Sequence, residues 1–118
     1  NNWPLVIQQI NRTDRLPMVT TVQTYCGWDI SDAGTIIGST SASCTAFFAQ
    51  LRRLGVHAEL ATGAGNCSIA TYRKLWADTT ESPQVLLKAA LLVNASGWNI
   101  DLEPQANNCK GGPGDIGG

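Results

Sequence analysis

Residues 97–104 read Gly-Trp-Asn-Ile-Asp-Leu-Glu-Pro. Asn99, Asp101 and Glu103 recur at every second position, the period at which the side chains of a strand share one face. Two carboxylates in one partly buried place cannot both ionise freely. One of them is then raised and becomes a candidate general acid. The same spacing also suits an ordinary strand whose acids face solvent or cap the next helix. The elements that would position these residues have to decide.

Two earlier segments share the alternation. Residues 16–28, Leu-Pro-Met-Val-Thr-Thr-Val-Gln-Thr-Tyr-Cys-Gly-Trp, are rich in β-branched and aromatic residues and read as a strand. Thr21, Gln23 and Tyr25 face one way there, and Thr20, Val22 and Thr24 the other. Residues 56–65 form the next strand, with His57, Glu59 and Ala61 opposed to Val56, Ala58 and Leu60. In the last strand Trp98, Ile100 and Leu102 oppose the acidic row. Each strand thus has a polar-leaning face, and crossover helices must cover the apolar one. The polar faces are expected to converge on the open side, with Asp101 and Glu103 at the strands' carboxyl ends, where α/β proteins place ligands. His57 and Glu59 read as a structural pair or as solvated residues. Tyr25, Trp28 and Trp98 offer faces on which a sugar ring can stack, or else they pack in the core or at its rim.

Helices separate these strands. Asn2 and Pro4 open a helix with Val6, Ile7 and Ile10 on one face. A Gly/Ser/Thr-rich loop over 29–43 leads to a helix capped by Ser43 or Ser41, striped by Phe47, Phe48, Leu51 and Leu54, and stopped at Gly55. A short helix follows, with Ile69, Tyr72, Leu75 and Trp76 on one side. The next is expected to start at Ser82 as N-cap and Pro83, to bury Leu86, Leu87, Ala90 and Leu91, and to stop at Gly97. This alternation implies an α/β fold of parallel strands joined by right-handed crossover helices. Gly-rich residues 110–118 form a tail.

Composition narrows the function classes. With 118 residues the chain is at most one domain, and its net charge of -1 with no basic cluster beyond Arg52–Arg53 gives no support for nucleic-acid binding or a membrane surface. No apolar run reaches the ~18 residues of a membrane span. The chain starts at Asn1 without an initiator Met or a signal-peptide pattern, so it is expected to be a processed chain or part of a longer one. Thr-Gly-Ala-Gly after the second strand lacks the rest of a dinucleotide fingerprint, and no cofactor is expected. Cys26, Cys44, Cys67 and Cys109 form no CxxC pair and His57 is the sole histidine, so no metal site is expected. Four cysteines allow two disulfides in three connectivities. Asn11, Asn66 and Asn94 each begin an N-glycosylation triplet. Together they point to a secreted, extracellular, oxidised glycoprotein.

Ala-Ser-Gly-Trp-Asn-Ile-Asp-Leu-Glu-Pro-Gln, residues 95–105, resembles the fourth-strand signature of the chitinase-like family-18 glycoside hydrolases, Asp-Gly-x-Asp-x-Asp-x-Glu. Glu103 matches the family's catalytic acid, Asp101 the aspartate that assists it, and Gly97 the glycine. Ser96 and Asn99 replace the two other aspartates. The likeness spans roughly residues 56–104 and includes the helix before the motif and a preceding strand ending in small residues. It implies that residues 1–109 are part of a (β/α)8 TIM-like barrel, about three to four βα units. A full barrel takes about 250 residues. It also implies substrate-assisted hydrolysis of N-acetylhexosamine-containing glycans, with Glu103 as proton donor and Asp101 steadying the acetamido group. Asn99, Tyr25 and Trp28 would contact the carbohydrate. Two readings stand: a glycosidase, and a non-catalytic structural or glycan-binding module of an extracellular assembly. In both, self-association or the remainder of a longer chain is expected to cover the sheet's edges. The expected disulfides are Cys26–Cys44, closing the first loop onto its helix, and Cys67–Cys109.

Overall fold

The structure, a computed structural model, describes residues 2–11, 19–63 and 69–101. Helix α1 (Trp3–Ile10) precedes strand β1 (Thr21–Tyr25), a hairpin of β2 (Trp28–Ile30) and β3 (Ile36–Gly38), and helix α2 (Ala42–Arg53). Strand β4 (His57–Gly63), helices α3 (Ile69–Ala77) and α4 (Glu81–Val93) and strand β5 (Gly97–Asp101) complete the order. The chain is a mixed α/β protein, whose main sheet has the order β1-β4-β5 with both pairings parallel. The expected parallel strands and crossover helices are therefore present.

The two long helices start differently and end alike. At the start of α2, Ser41 Oγ accepts the Cys44 backbone N–H at 3.2 Å, so Ser41 rather than Ser43 is the cap. Its end is a Schellman closure around Gly55 (φ +70): the Gly55 N–H reaches Arg52 O and the Val56 N–H reaches Leu51 O. Helix α4 departs from expectation at both ends. Ser82 lies inside the helix, and the preceding Asp78 satisfies its first turn, accepting from the N–H groups of Thr80, Glu81 and Ser82 and from Ser82 Oγ. These bonds to the ionised form, led by the Ser82 hydroxyl, pull the Asp78 carboxyl below the ordinary value, to about 2. The stop is Asn94 in the left-handed conformation (φ 53), with the Ala95 N–H on Ala90 O, and Gly97 instead begins β5.

The buried stripe of α4 also differs from the expected one. Ser82, Ala89 and Val93 are buried and Val85, Leu86 and Ala90 half-buried, whereas Leu87 and Leu91 face outward. Apolar residues lie nearly all round this helix, so periodicity alone does not select the face. Trp76, expected on the inner side of α3, is 62% exposed. The loop expected over 29–43 contains the β2–β3 hairpin, closed by a tight turn in which the Gly34 N–H donates to Ser31 O and the Ser31 N–H to Thr35 O.

The core lies between the helices and one face of the main sheet. Phe47, Phe48 and Leu51 of α2 pack with Ala58 and Leu60 of β4 and with Ala89 and Val93 of α4. Trp3 stacks on Phe47 at 4.8 Å and ties α1 to this cluster. A smaller cluster of Ile30, Ile36 and Leu75 joins the hairpin to α3, with Val85, Leu86 and Ile100 against it. Gly34 makes that junction close, since a Cβ there would stand 2.5 Å from Thr71 O and 2.7 Å from Lys74 Cβ. The expected Cys26–Cys44 disulfide is present, with Cα atoms 5.9 Å apart. It fastens the end of β1 to the first turn of α2. Cys67, Cys109 and the tail 110–118 lie outside the described residues.

Candidate functional site

The parallel register carries the polar residues to one side of the sheet. Gln23 pairs with Glu59 and Glu59 with Gly97. One step further along, Tyr25 pairs with Ala61 and Ala61 with Asn99, and the last pair is Gly63 with Asp101. The intervening residues Val22, Leu60 and Trp98 face the helices. The expected convergence of polar faces is thus met over the described strands, on the face opposite the one that the described helices cover.

Two side-chain hydrogen bonds organise this face. Toward the carboxyl ends, Tyr25 Oη donates to Asp101 Oδ2 at 2.7 Å. A donor to an ionised carboxylate makes the stronger kind of hydrogen bond and fixes the carboxylate's rotamer. Nearer the amino ends, Gln23 Nε2 donates to Glu59 Oε2 at 2.9 Å. The first bond joins β1 to β5 across the central strand, a span of roughly 10 Å at ordinary strand spacing. It passes above Gly63. A Cβ at that position would stand 3.6 Å from Tyr25 Oη and 3.8 Å from its Cε1. Tyr25 and Asp101 are both exposed, Asn99 is half-buried beside them, and Ala61 is buried at the centre of the face.

The other expected site residues are distributed unevenly. Trp28 does not join Tyr25 and Asp101. It packs edge-on to Trp98 at 6.0 Å against both core clusters, and its indole N–H donates to Thr40 Oγ1. Trp98 is likewise turned to the helices and donates to Leu86 O at 2.8 Å. Both indoles therefore take the packing role. His57 and Glu59 do not pair with each other, because Glu59 accepts from Gln23 and His57 Nδ1 lies 3.4 Å from Ser96 Oγ at the amino-terminal end of the sheet. Glu103 lies outside the described residues, two positions beyond Asp101. Asn11 and Asn94 are exposed at the ends of α1 and α4, and Asn66 lies outside the described residues.

The perturbed groups stand apart from this face. Burial pushes the Tyr72 hydroxyl upward, and neither it nor the buried Thr62 Oγ1 has a hydrogen-bond partner among the described residues. Asp78 serves the helix start described above. Among the described residues no group of three His, Cys, Asp or Glu side chains is placed to hold a metal ion, and no helix is long and apolar enough to cross a membrane. Gly63 and Gln23 are the contributors that the site residues singled out in the sequence do not include. The signal for Gly63 is its place at the end of a strand of small residues, Ala61-Thr62-Gly63. No family model, curated protein or solved structure matches the chain.

Proposed function

We propose that this chain is a secreted, extracellular glycoprotein built from part of a chitinase-like (β/α)8 barrel, and that it acts on N-acetylhexosamine-containing glycans. The observation that carries this reading is the Tyr25–Asp101 hydrogen bond at the carboxyl ends of the parallel strands. Tyr25 holds Asp101 Oδ2, which leaves the carboxylate's other oxygen to accept a donor from the ligand, such as the N–H of an acetamido group. Asn99 adds amide donors and an acceptor beside it. Glu103 follows two residues later and supplies the proton to the leaving oxygen. The acetamido oxygen attacks the anomeric carbon as the bond to the leaving oxygen breaks, and Asp101 steadies the charge that develops on the acetamido nitrogen. Water, giving its proton to Glu103, then opens the cyclic intermediate. The Cys26–Cys44 disulfide accords with an oxidising compartment. The test is hydrolysis of a chitin-type oligosaccharide. Glu103→Gln should abolish it, and an unchanged rate would end the assignment of Glu103.

The polar composition of the open face favours a second reading. Barrel interiors are filled mainly by bulky branched side chains, whereas this face holds Gln23, His57 and Glu59. A sheet that leaves this face to solvent suits a non-catalytic module that binds glycans or assembles with others. In either reading the remainder of the barrel, from a longer chain or another copy, would cover the edges. Among the described residues β1 and β5 each pair on one side only, and unpaired edges invite further strands. An open apolar groove of about 620 Å³ runs between α1 and β1, lined by Leu5, Val6, Ile10, Val19 and Val22 among others. Leu87, Leu91 and Leu92 are exposed on α4. Sedimentation velocity distinguishes the cases: concentration-dependent association without hydrolysis supports the module, and an active, monodisperse monomer excludes it.

A further inference from the structure

We infer that Gly63 is the positioning residue of the carbohydrate site, kept without a side chain so that Tyr25 can lie across the central strand and hold Asp101. The functional part of this inference rests on the glycan reading above, while its geometric part stands alone.

Gly63 is not a glycine demanded by its backbone. Among the described residues the left-handed glycines are Gly27, Gly34, Gly38 and Gly55, and Gly63 is not among them. It sits at the end of a regular parallel strand, paired with Asp101. A side chain would therefore cost nothing in backbone strain, and β-strands generally disfavour glycine, which has no side chain to pack. What a side chain would cost is space. An added Cβ would meet Asp101 O at 3.0 Å, closer than such contacts ordinarily come, and would also touch Tyr25 at its hydroxyl and ring. Asp101 O belongs to the residue whose carboxylate Tyr25 holds. A methyl group at 63 thus presses on the backbone of Asp101, one partner of the 2.7 Å bond, while it meets the Tyr25 ring at ordinary contact distance. The backbone of β5 has to move off by a few tenths of an ångström, which shifts the Asp101 carboxylate against the hydroxyl that holds it.

The absent side chain also determines what the ring can do. Tyr25 is 55% exposed although its hydroxyl is tied down. The hydroxyl is held by Asp101, and about half of the residue stays exposed. Such a ring is a stacking platform for the apolar face of a sugar, pre-set beside a carboxylate that takes a polar substituent of the same sugar. A platform fixed before binding loses little freedom when the ligand arrives. The ligand class this arrangement fits is a pyranoside with an amide or hydroxyl donor projecting from the ring edge.

The test compares Gly63→Ala with Tyr25→Phe, which keeps the ring and removes the donor. The first readout uses the free protein: the side-chain carboxyl ¹³C resonance of Asp101 at neutral pH. Tyr25→Phe should displace this resonance, and Gly63→Ala should displace it in the same direction. A thermal melt of each variant confirms that it is folded. An Asp101 resonance unmoved by Gly63→Ala, or unmoved by Tyr25→Phe, overturns the positioning role whether or not the protein binds glycans. The second readout is affinity for a tri-N-acetylated chitin oligosaccharide. Each single variant should weaken it by about threefold to tenfold, the range for losing one ordinary hydrogen bond. The double variant should lose no more than the weaker single one. Additive losses refute a shared mechanism. An Asp101 resonance that responds as expected, in a protein that binds no oligosaccharide, sinks the glycan reading and leaves the geometry standing.

Discussion

Replacing both cysteines of the Cys26–Cys44 bridge by alanine should destabilise the protein by about 3 kcal/mol. The bridge closes a loop of 18 residues. The chain-entropy relation for a loop of that length gives roughly 11 cal/mol/K, or about 3 kcal/mol at 25 °C. Unfolding entropy near 2.1 cal/mol/K per residue over 118 residues is about 250 cal/mol/K, so the melting temperature should fall by about 12 °C. Both cysteines are buried, Cys44 completely, but alanine leaves little void there and packing adds only a small further loss. Substitution is preferable to a reductant because it leaves Cys67 and Cys109 untouched. Urea unfolding with and without the bridge is the assay. The m-value should rise in the variant, since its unfolded chain is freer to expand. The closed loop contains the β2–β3 hairpin, so hydrogen exchange should speed up first at the amides of 28–38 and later in β4. A destabilisation below about 1 kcal/mol would exclude this loop-closure effect and mean that the loop is ordered in the unfolded chain without the bond.

Three further outcomes follow from the packing. Asp78→Asn should lower the melting temperature by a few degrees at pH 7. The Asp78 carboxyl is held at about 2 in the folded protein, below its unfolded value, so its contribution is present above pH 4 and lost as pH falls toward 2. The gap between wild type and variant should close over that window in a pH series of thermal melts. Gly34→Ala should cost at least about 2 kcal/mol in urea unfolding, because the residue has φ +76 and an added methyl group meets Thr71 O and Lys74 Cβ. Leu60→Ala should cost about 2–5 kcal/mol and Leu91→Ala less than about 0.5 kcal/mol, since Leu60 is fully buried and Leu91 is 70% exposed. A cost at Leu91 as large as that at Leu60 would overturn the assignment of the inner face of α4.

What the sequence made legible follows from where one physical signal acted alone. Helix α2 has a serine before it, a clear stripe of Phe47, Phe48 and Leu51, and a glycine after it, and each signal agrees with the others. The strands' alternation placed Gln23, Tyr25, Glu59 and Asp101 on one face because the period of two leaves no choice once the helices cover the other. The failures lie where signals compete. Val85, Leu86, Leu87, Leu91, Leu92 and Val93 put apolar residues on most sides of α4, so its buried face depends on neighbours that a single helix does not display. The β2–β3 hairpin has three residues in each strand, too few to show a period within a stretch rich in Gly, Ser and Thr. Asp78 lies two residues ahead of the helix's N-cap position, so a search for a cap beside Pro83 settles on Ser82 instead. Trp28 and Trp98 illustrate a different limit. An indole suits both a sugar platform and a core, and only the fold shows that these two donate to Thr40 and Leu86 on the helix side.

We propose a carbohydrate site at the carboxyl ends of β1, β4 and β5, built on Tyr25 and Asp101. The most direct measurement is an NMR titration of the protein with a tri-N-acetylated chitin oligosaccharide. Saturable shifts are expected at Tyr25, Gly63, Asn99 and Asp101, with His57 and Ser96 at the opposite end of the sheet unmoved. Shifts confined to the His57 end, or none at millimolar oligosaccharide, would contradict it.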